Sequence, residues 1–291
     1  KRIGTIDLAR NRLKKLDYQM FFELNFIEIL NLAENQIKEI QKLAFKDLYL
    51  TDINLSKNQI NKIENGAFEN CANITVLDLS FNELASLPKK AFDETTYATE
   101  LQLSHNYFSN LSQIPLHNMT GIKILNVSHN FITTIPKKTF PKLYELHTID
   151  ISHNNLTDVF NSVFQTLFSL RNLNMSYNNL ATIKPSMFGS IPTLLELDLS
   201  YNDLESVSRG SLTRLASTRQ LNLRGNNLRN LFQLPISGSH FGLWLITKKK
   251  KLPTGHPGPG NEFLGGVWDL KLTIPLGTIL ERGKVFQIWW T

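Results

Sequence analysis

The sequence predicts an α/β solenoid: a horseshoe of about ten stacked repeats of 23–24 residues, with a parallel concave β-sheet and an irregular convex side. The first observation is a spacing, apolar-x-x-apolar-x-apolar-x-x-Asn-x-apolar, which occurs ten times. Its step is 24 residues throughout, except for one step of 23 between Ile27 and Leu50. The second observation is that every unit carries further apolar residues at fixed offsets. One such unit cannot bury its apolar side alone, so neighbouring units must stack.

The β-strand of each repeat is predicted at its start, where apolar and polar residues alternate, as they do in residues 77–80. Paired strands lie about 4.7–4.9 Å apart, so ten of them form a sheet of roughly 45 Å along the stacking direction. The return segment is wider than a strand, and we therefore expect the sheet side to be concave. Repeats are numbered 1 to 10 here, and positions are counted from the first residue of the spacing in each. The ten first residues are Ile3, Ile27, Leu50, Ile74, Ala98, Ile122, Leu146, Leu170, Leu194 and Thr218.

Two positions of the repeat have a predicted structural role. Position 19 predicts a stacked aromatic column in the core; it holds Phe21, Phe45, Phe68, Phe92, Leu116, Phe140, Phe164, Phe188 and Leu212. Position 9 is Asn in every repeat: Asn11, Asn35, Asn58, Asn82, Asn106, Asn130, Asn154, Asn178, Asn202 and Asn226. A carboxamide both donates and accepts hydrogen bonds, so it can satisfy the backbone groups exposed where the chain turns out of the sheet. We therefore expect position 9 to form a structural ladder without a catalytic role.

These residues resemble the typical-class, extracellular leucine-rich-repeat family, whose units have 24 residues and carry a Phe. The resemblance covers residues 1–240. Within the family, the regular units Leu-Asn-Val-Ser-His-Asn (125–130), Ile-Asp-Ile-Ser-His-Asn (149–154) and Leu-Asn-Met-Ser-Tyr-Asn (173–178) are more similar to chaoptin-like adhesion proteins than to Toll receptors. That resemblance implies an extracellular or cell-surface location, homophilic contact and a lipid-anchored region outside this chain.

The repeat pattern predicts two parts in the chain, 1–240 and 241–291. A further unit beginning at 242 would need Asn at position 250, where the sequence has Lys250, and all four Trp residues lie beyond 240. We expect 1–240 to be an array without the cysteine-rich caps of the family, and 241–291 to be an unrelated, poorly ordered tail. A degenerate capping unit is the alternative for 241–291. The chain begins at Lys1 without an initiator Met or a signal peptide, so we expect a mature piece or a fragment.

Composition argues against several classes of function. The formal net charge is +6, but residues 1–240 carry 24 Lys and Arg against 22 Asp and Glu, which argues against a nucleic-acid partner. No apolar run approaches the 18 residues that a membrane span needs. Cys71 is the single cysteine, so neither an internal disulfide nor a cysteine metal cluster can form. Enzyme motifs are absent from the sequence, and we expect neither catalysis nor a cofactor.

The predicted partner-binding surface is the concave sheet, because its outward side chains are not needed for packing. Position 5 contributes Asp78, Gln102, Asp150 and Asp198, and position 8 contributes Phe81, His105, His129, His153, Tyr177 and Tyr201. Aromatic side chains with polar tips are enriched in protein interfaces. The alternative is that the position 8 side chains merely shield the Asn ladder. The three histidines could bind a metal ion, but no carboxylate or Cys stands at a matching position in these repeats. We therefore expect no metal site.

Seven Asn-x-Ser/Thr sequons occur, and four of them are the expected glycosylation sites. Asn73, Asn110, Asn118 and Asn155 fall in turns or return segments. The other three, Asn54, Asn126 and Asn174, occupy position 5, where a glycan would block the concave face.

The sequence thus favours protein recognition by an extracellular array, with cell adhesion as the first expectation. A ligand-binding ectodomain of a Toll-type signalling receptor is the alternative, and the even 24-residue step argues against it. An intracellular scaffold is the third choice, disfavoured by the Phe-bearing repeat and by the sequons in turns.

Overall fold

A computed structural model describes residues 3–229, except 18–19, 22–23, 25, 94, 96, 186, 208–210, 213–214 and 216, and the backbone of two later strands. The predicted solenoid is confirmed, because each repeat contributes one short strand to a continuous parallel sheet. The ten repeat strands are Thr5–Asp7, Ile29–Asn31, Asp52–Asn54, Val76–Asp78, Glu100–Gln102, Ile124–Asn126, Thr148–Asp150, Asn172–Asn174, Glu196–Asp198 and Gln220–Asn222.

The register of the sheet follows the repeat step. Ile149 pairs with Leu125 on one side and Leu173 on the other, so position 4 always faces position 4. The single 23-residue step is absorbed without a slip, because Leu30 still pairs with Ile53. Position 4 is buried from repeat 2 onwards, whereas positions 3 and 5 point out of the sheet. This alternation is the period of two that a strand imposes on its side chains.

The return side carries shorter elements. Three two-stranded parallel sheets form at positions 13 and 14: Glu39–Ile40 with Lys62–Ile63, Thr134–Ile135 with Asp158–Val159, and Thr182–Ile183 with Ser206–Val207. Repeat 5 instead has two 3₁₀ helices, Leu111–Gln113 and Leu116–Asn118. Asn110 caps the first helix by accepting from the Ser112 N–H at 2.8 Å, while Gln113 Oε1 accepts from the Asn110 N–H at 2.9 Å.

One apolar core runs through all repeats, between the sheet and the return segments. The position 19 phenylalanines are buried, and their rings stack in two groups of three: Phe21, Phe45 and Phe68, and Phe140, Phe164 and Phe188. Ring centroids lie 5.3 Å apart for Phe45 and Phe68, and 5.8 Å apart for Phe140 and Phe164. Burial of each such ring is worth about 1.5–3 kcal/mol, so the aromatic column is a main source of cohesion between neighbouring repeats.

The position 9 carboxamides link each repeat to its neighbours. Asn130 Nδ2 donates to the carbonyl oxygens of Leu103, Val127 and Ser128 at 3.0–3.1 Å, and its Oδ1 accepts from the Phe108 N–H at 3.0 Å. One side chain thus satisfies four backbone groups at the turn out of the sheet. The same four-bond pattern occurs at Asn35, Asn58, Asn82, Asn106, Asn154, Asn178, Asn202 and Asn226.

Beyond residue 229, two strands extend the main sheet. Gly242–Leu245 pairs in parallel with Gln220–Asn222, and Leu270–Thr273 pairs with Gly242–Leu245 in the antiparallel direction. The prediction of a poorly ordered tail over 241–291 otherwise falls outside the described residues. In the part of the chain that is described, no helix has the length and apolar character needed to cross a membrane.

Candidate recognition surface

The outward side chains at position 5 are fixed by the backbone that follows them. Asp78, Asp150 and Asp198 each accept a hydrogen bond from the backbone N–H two residues later, at 2.8–2.9 Å. The second carboxylate oxygens of Asp150 and Asp198 accept from Asn174 and Asn222 in the next repeat. These carboxylates are half-buried and oriented, as is Gln102, whose side chain donates to Glu100.

Position 8 has an unusual backbone. All ten residues there, from Arg10 to Gly225, have φ between +52° and +69°, in the left-handed region that only glycine adopts freely. At each position from repeat 1 to repeat 9, the backbone N–H donates to the position 7 carbonyl of the next repeat, as from His129 to Ser152 at 3.0 Å. This hydrogen bond holds every position 8 residue in the same conformation, and successive side chains project in parallel.

The six predicted position 8 residues of repeats 4–9 form one uninterrupted stack of rings. Centroids are 4.0 Å apart from Phe81 through His105 and His129 to His153, then 4.2 and 4.4 Å apart through Tyr177 to Tyr201. Interplanar angles stay between 10° and 15°. The Arg224 guanidinium lies 5.8 Å from the Tyr201 ring centre and closes the stack with a cation–π contact.

Position 8 of repeats 1–3 is charged instead. Glu34 pairs with Arg10 at 3.3 Å on one side and with Lys57 at 3.0 Å on the other. The hydrogen bond and the positive charge of Lys57, with a smaller contribution from Arg10, lower the pKa of Glu34. Beside this triad, Ala9 and Ala33 stand where later repeats have Ser, and the sheet has an open polar depression of about 640 Å³.

The stacked rings alter each other's ionisation. Partial burial, followed by the charge of His153, lowers the pKa of His105. Burial and the neighbouring imidazoles also lower the pKa of His129, although Asp150 acts in the opposite direction. Burial, with the charge and hydrogen bond of Tyr201, raises the pKa of Tyr177. Each of these pKa shifts favours the neutral form of the side chain concerned.

Sequence reasoning missed two aromatic side chains beside the stack. Tyr107 and Phe131 occupy position 10 of repeats 5 and 6, and each is 53% exposed. Their ring centroids are 5.9 Å apart, with the planes tilted by 38°. The signal was available in the sequence, because the two residues are one 24-residue step apart, like the members of the position 8 stack.

The structure separates the four expected glycosylation sites. Asn73 and Asn155 are exposed. Asn110 is half-buried and caps the 3₁₀ helix, and the Asn118 side chain donates to Asp93 Oδ1 at 2.8 Å. The concave sequons Asn54, Asn126 and Asn174 are also half-buried, and each side chain accepts from the hydroxyl of its own sequon Ser.

Neither metal nor nucleophile chemistry has a visible site in the described residues. No group of three or more His, Cys, Asp or Glu among them is arranged to hold a metal ion. The Cys71 side chain is buried, with its sulfur 2.8 Å from the Phe45 carbonyl oxygen. The arrangement therefore offers an oriented polar sheet edged by rings, which suits a broad contact surface better than an enclosed reaction site.

Comparison with known families agrees with this geometry. The leucine-rich repeat family model matches residues 1–60, 49–108, 96–156, 120–180 and 168–228, which together span most of the chain. The chain belongs to the leucine-rich repeat family. Members of the family are typically binding modules without enzymatic activity. A search among curated protein sequences finds no significant match.

Solved structures of other leucine-rich repeat proteins are similar. The TLR13–ssRNA13 complex contains a chain that is 28% identical over 76% of this chain and 32% of its own length, with a TM-score of 0.72. The Drosophila Toll–Spatzle complex contains one that is 23% identical, over 80% of this chain and 34% of its own length, at a TM-score of 0.66. This leucine-rich repeat chain therefore matches about a third of the length of these two receptors.

A third similar structure comes from an octameric complex of Latrophilin 3, Unc5D and FLRT2, in which FLRT2 supplies the leucine-rich repeats. The matching chain is 22% identical, over 77% of this chain and 76% of its own length, with a TM-score of 0.64. At this identity the likeness concerns the fold alone.

Proposed function

We propose that this leucine-rich repeat array recognises proteins at a cell surface, and that its function is adhesion. The observation that carries the proposal is the oriented concave surface: ten parallel strands present side chains that packing does not use, edged by a six-ring stack. Such a surface is polar and broad, whereas a small-molecule site is an enclosed and mostly apolar pocket. Affinity would come from contact area and complementarity.

The location and the homophilic mode are parts of the same proposal. The resemblance of residues 125–130, 149–154 and 173–178 to chaoptin-like units supports contact between copies of the protein, with a lipid-anchored region in the parent. The exposed sequons Asn73 and Asn155 support an extracellular location. Mass spectrometry of protein secreted from animal cells should find glycans on both, and bare asparagines at both would contradict that location.

A Toll-type receptor ectodomain is the second candidate, and the likeness to the TLR13 chain at 28% identity favours it. The Toll structure is described as a complex with Spatzle. By analogy, this array would bind a separate secreted ligand. The uniform repeat step, without insertions, argues for the adhesive function instead.

Bead aggregation tests the two candidates against each other. Beads coated with the full chain should aggregate with one another if contact is homophilic, whereas beads carrying the unfolded chain should stay dispersed. A receptor for a soluble ligand predicts dispersed beads that bind cells expressing that ligand. Beads that neither aggregate nor bind any cell surface would contradict protein recognition as the function.

A further inference from the structure

Two pairs of neighbouring aromatic side chains stand exposed on the described surface. Tyr107 and Phe131 are both 53% exposed, with centroids 5.9 Å apart. Tyr144 and Phe168 are 51% and 57% exposed, with centroids 6.0 Å apart. Contiguous exposed apolar surface of this kind marks interaction sites. The two pairs match in size, exposure and ring spacing, although their planes are inclined by 38° and 17°. Their surroundings therefore decide which of them is a docking site.

The first pair follows the ring stack in the repeat. Tyr107 and Phe131 come two residues after His105 and His129, so the pair runs along the part of the stack that begins at Phe81. We call these five residues the aromatic flank. The flank combines ring edges, ring faces and imidazole hydrogen-bonding groups. In the sequence, position 10 continues with Asn155, so a glycan there would border the flank at repeat 7.

The charges around the aromatic flank are mainly negative. At the outward positions 3, 5, 7, 8 and 10 of repeats 4–9, the sequence has no Lys or Arg but seven carboxylates, and Lys57 at position 8 of the preceding repeat is paired with Glu34. None of the seven takes part in an ion pair within the described part of the chain. They are Asp78, Glu83, Glu100, Asp150, Glu196, Asp198 and Asp203.

The surroundings of the second aromatic pair are mixed in charge. Lys142 and Glu145 lie within two residues of Tyr144 in the sequence, and Arg171 follows three residues after Phe168. A partner docking there would meet charges of both signs. The aromatic flank, by contrast, offers an apolar centre inside a mainly negative margin, in which Lys57 of repeat 3 is already paired with Glu34.

We propose that the aromatic flank docks a protein partner that presents Lys or Arg side chains. The inference rests on the proposed recognition function and adds the binding face and the chemistry of the partner. The aliphatic stems of such side chains cover the rings, and their cationic heads reach the faces of Tyr107 and Phe131 and the surrounding carboxylates. Complementary charge steers association and excludes partners of the wrong sign. A nucleic acid would instead bring phosphates against the seven carboxylates.

The test uses the full chain and a defined probe, a fluorescein-labelled peptide of four Arg-Leu-Ser units, with the Glu-Leu-Ser peptide as its acidic counterpart. We expect the Arg peptide alone to bind. The double variant Tyr107→Gln/Phe131→Gln should raise its dissociation constant at least tenfold. Gln already occupies position 10 in repeats 2 and 3, so the repeat tolerates this change, and unlike Asn it creates no glycosylation sequon. The matched control Tyr144→Gln/Phe168→Gln should change the dissociation constant less than twofold.

A second pair of variants tests the charges. Asp78→Gln/Glu83→Gln/Glu100→Gln should weaken binding of the Arg peptide at least tenfold at low salt. The control Glu39→Gln/Glu145→Gln/Glu205→Gln removes the same charge elsewhere and should have little effect. Equal losses in the two triple variants, or in the two aromatic double variants, would overturn the proposal. Tighter binding of a 13-nucleotide single-stranded RNA than of the Arg peptide would also overturn it.

Two further outcomes separate this inference from the proposed function. If beads coated with Tyr107→Gln/Phe131→Gln protein still bind cells like the unaltered protein, the docking site is wrong while protein recognition stands. If sedimentation shows that the unaltered chain self-associates and that this double variant is monomeric, a second copy occupies the flank and the proposal of a basic partner is wrong.

Discussion

Repeats 1–3 and repeats 4–9 place different chemistry on the same backbone at position 8. In the first region, Arg10, Glu34 and Lys57 form an ion-paired triad next to a polar depression of about 640 Å³. In the second region, six rings stack at 4.0–4.4 Å over the same positive φ and the same hydrogen bonds. From repeat 2 onwards, the buried position 4 and the four-bond pattern of the Asn ladder are the same in both regions. The repeat pattern therefore determines the fold, whereas the residue at position 8 can vary and determines the chemistry of the surface.

The largest expected effect tests whether the two regions share their structural support. Asn35→Ala and Asn130→Ala each remove a carboxamide that makes four hydrogen bonds to the backbone. Unsatisfied buried backbone groups cost about 1–3 kcal/mol each, and water reaches some of them, so we expect each variant to lose about 3–5 kcal/mol of unfolding free energy. Urea unfolding measures the loss.

The control for this prediction is Asn11→Ala. Asn11 is exposed, and its described hydrogen bonds are two donations to the Leu8 and Ala9 carbonyls. Its loss should cost less than about 1 kcal/mol. A cost that differs by several kcal/mol between Asn35→Ala and Asn130→Ala would break the claim of a common support.

The next effect concerns the surface layer itself. His129→Ala interrupts two ring contacts of 4.0 Å, to His105 and His153, and stacked aromatic pairs contribute about 0.5–1.5 kcal/mol each. We expect a loss of about 1–2 kcal/mol by urea unfolding. Lys57→Ala, at the same position in the charged region, should cost less, because exposed ion pairs contribute little. A larger cost for Lys57→Ala would reverse the comparison.

Acid should weaken the ring stack through its histidines. Because the pKa values of His105 and His129 are lowered in the folded state, the unfolded chain binds more protons below about pH 6.5. Their contribution to stability is complete above that pH and is lost as the pH falls through the lowered values. His105→Phe/His129→Phe, which extends the chemistry of Phe81, should flatten the melting temperature between pH 7.5 and 5. Parallel pH profiles for the variant and the unaltered protein would contradict this mechanism.

The smallest expected effect is the dependence of the Glu34 ion pairs on ionic strength, which the ring stack should not share. Glu34→Gln leaves Arg10 and Lys57 without their shared partner, so the melting temperature should fall slightly at low salt. The difference should vanish in 1 M NaCl, where screening acts over about 3 Å. Loss of stability in His129→Ala should persist at that salt concentration, because stacking is not screened. A salt-independent effect of Glu34→Gln would show that the triad acts through packing.

The fold was predictable from the sequence, because the buried positions recur in every repeat and need the same kind of residue each time. Leu125, Ile149 and Leu173 must be apolar because they lie in the core. Asn130 must both donate and accept hydrogen bonds, so Asn also recurs every 24 residues. Position 8 is different, since the turn accepts Arg10, Phe81 or His129 alike. The sequence indicated an aromatic stripe there, but not the 4.0 Å stacking, which depends on the left-handed backbone.

The surface pair Tyr107 and Phe131 and the mainly negative charge around the flank were also missed in the sequence. Neither residue is needed for packing, so the single 24-residue step between them is not supported by apolar residues at position 10 of the other repeats. Only the three-dimensional arrangement brings Glu83, Glu100 and Asp150 to the same face as the rings. A few positions determine the features of one surface, whereas many repeated positions determine the solenoid.

Amide hydrogen exchange tests the common frame most directly. The backbone N–H groups of Ile37 and Ile132 donate to the ladder residues Asn58 and Asn154, one in each region. A single frame predicts strong and similar protection for both amides, and for their counterparts across repeats 2–9. Protection confined to one region, or rapid exchange of the ladder-bound amides in either region, would contradict it.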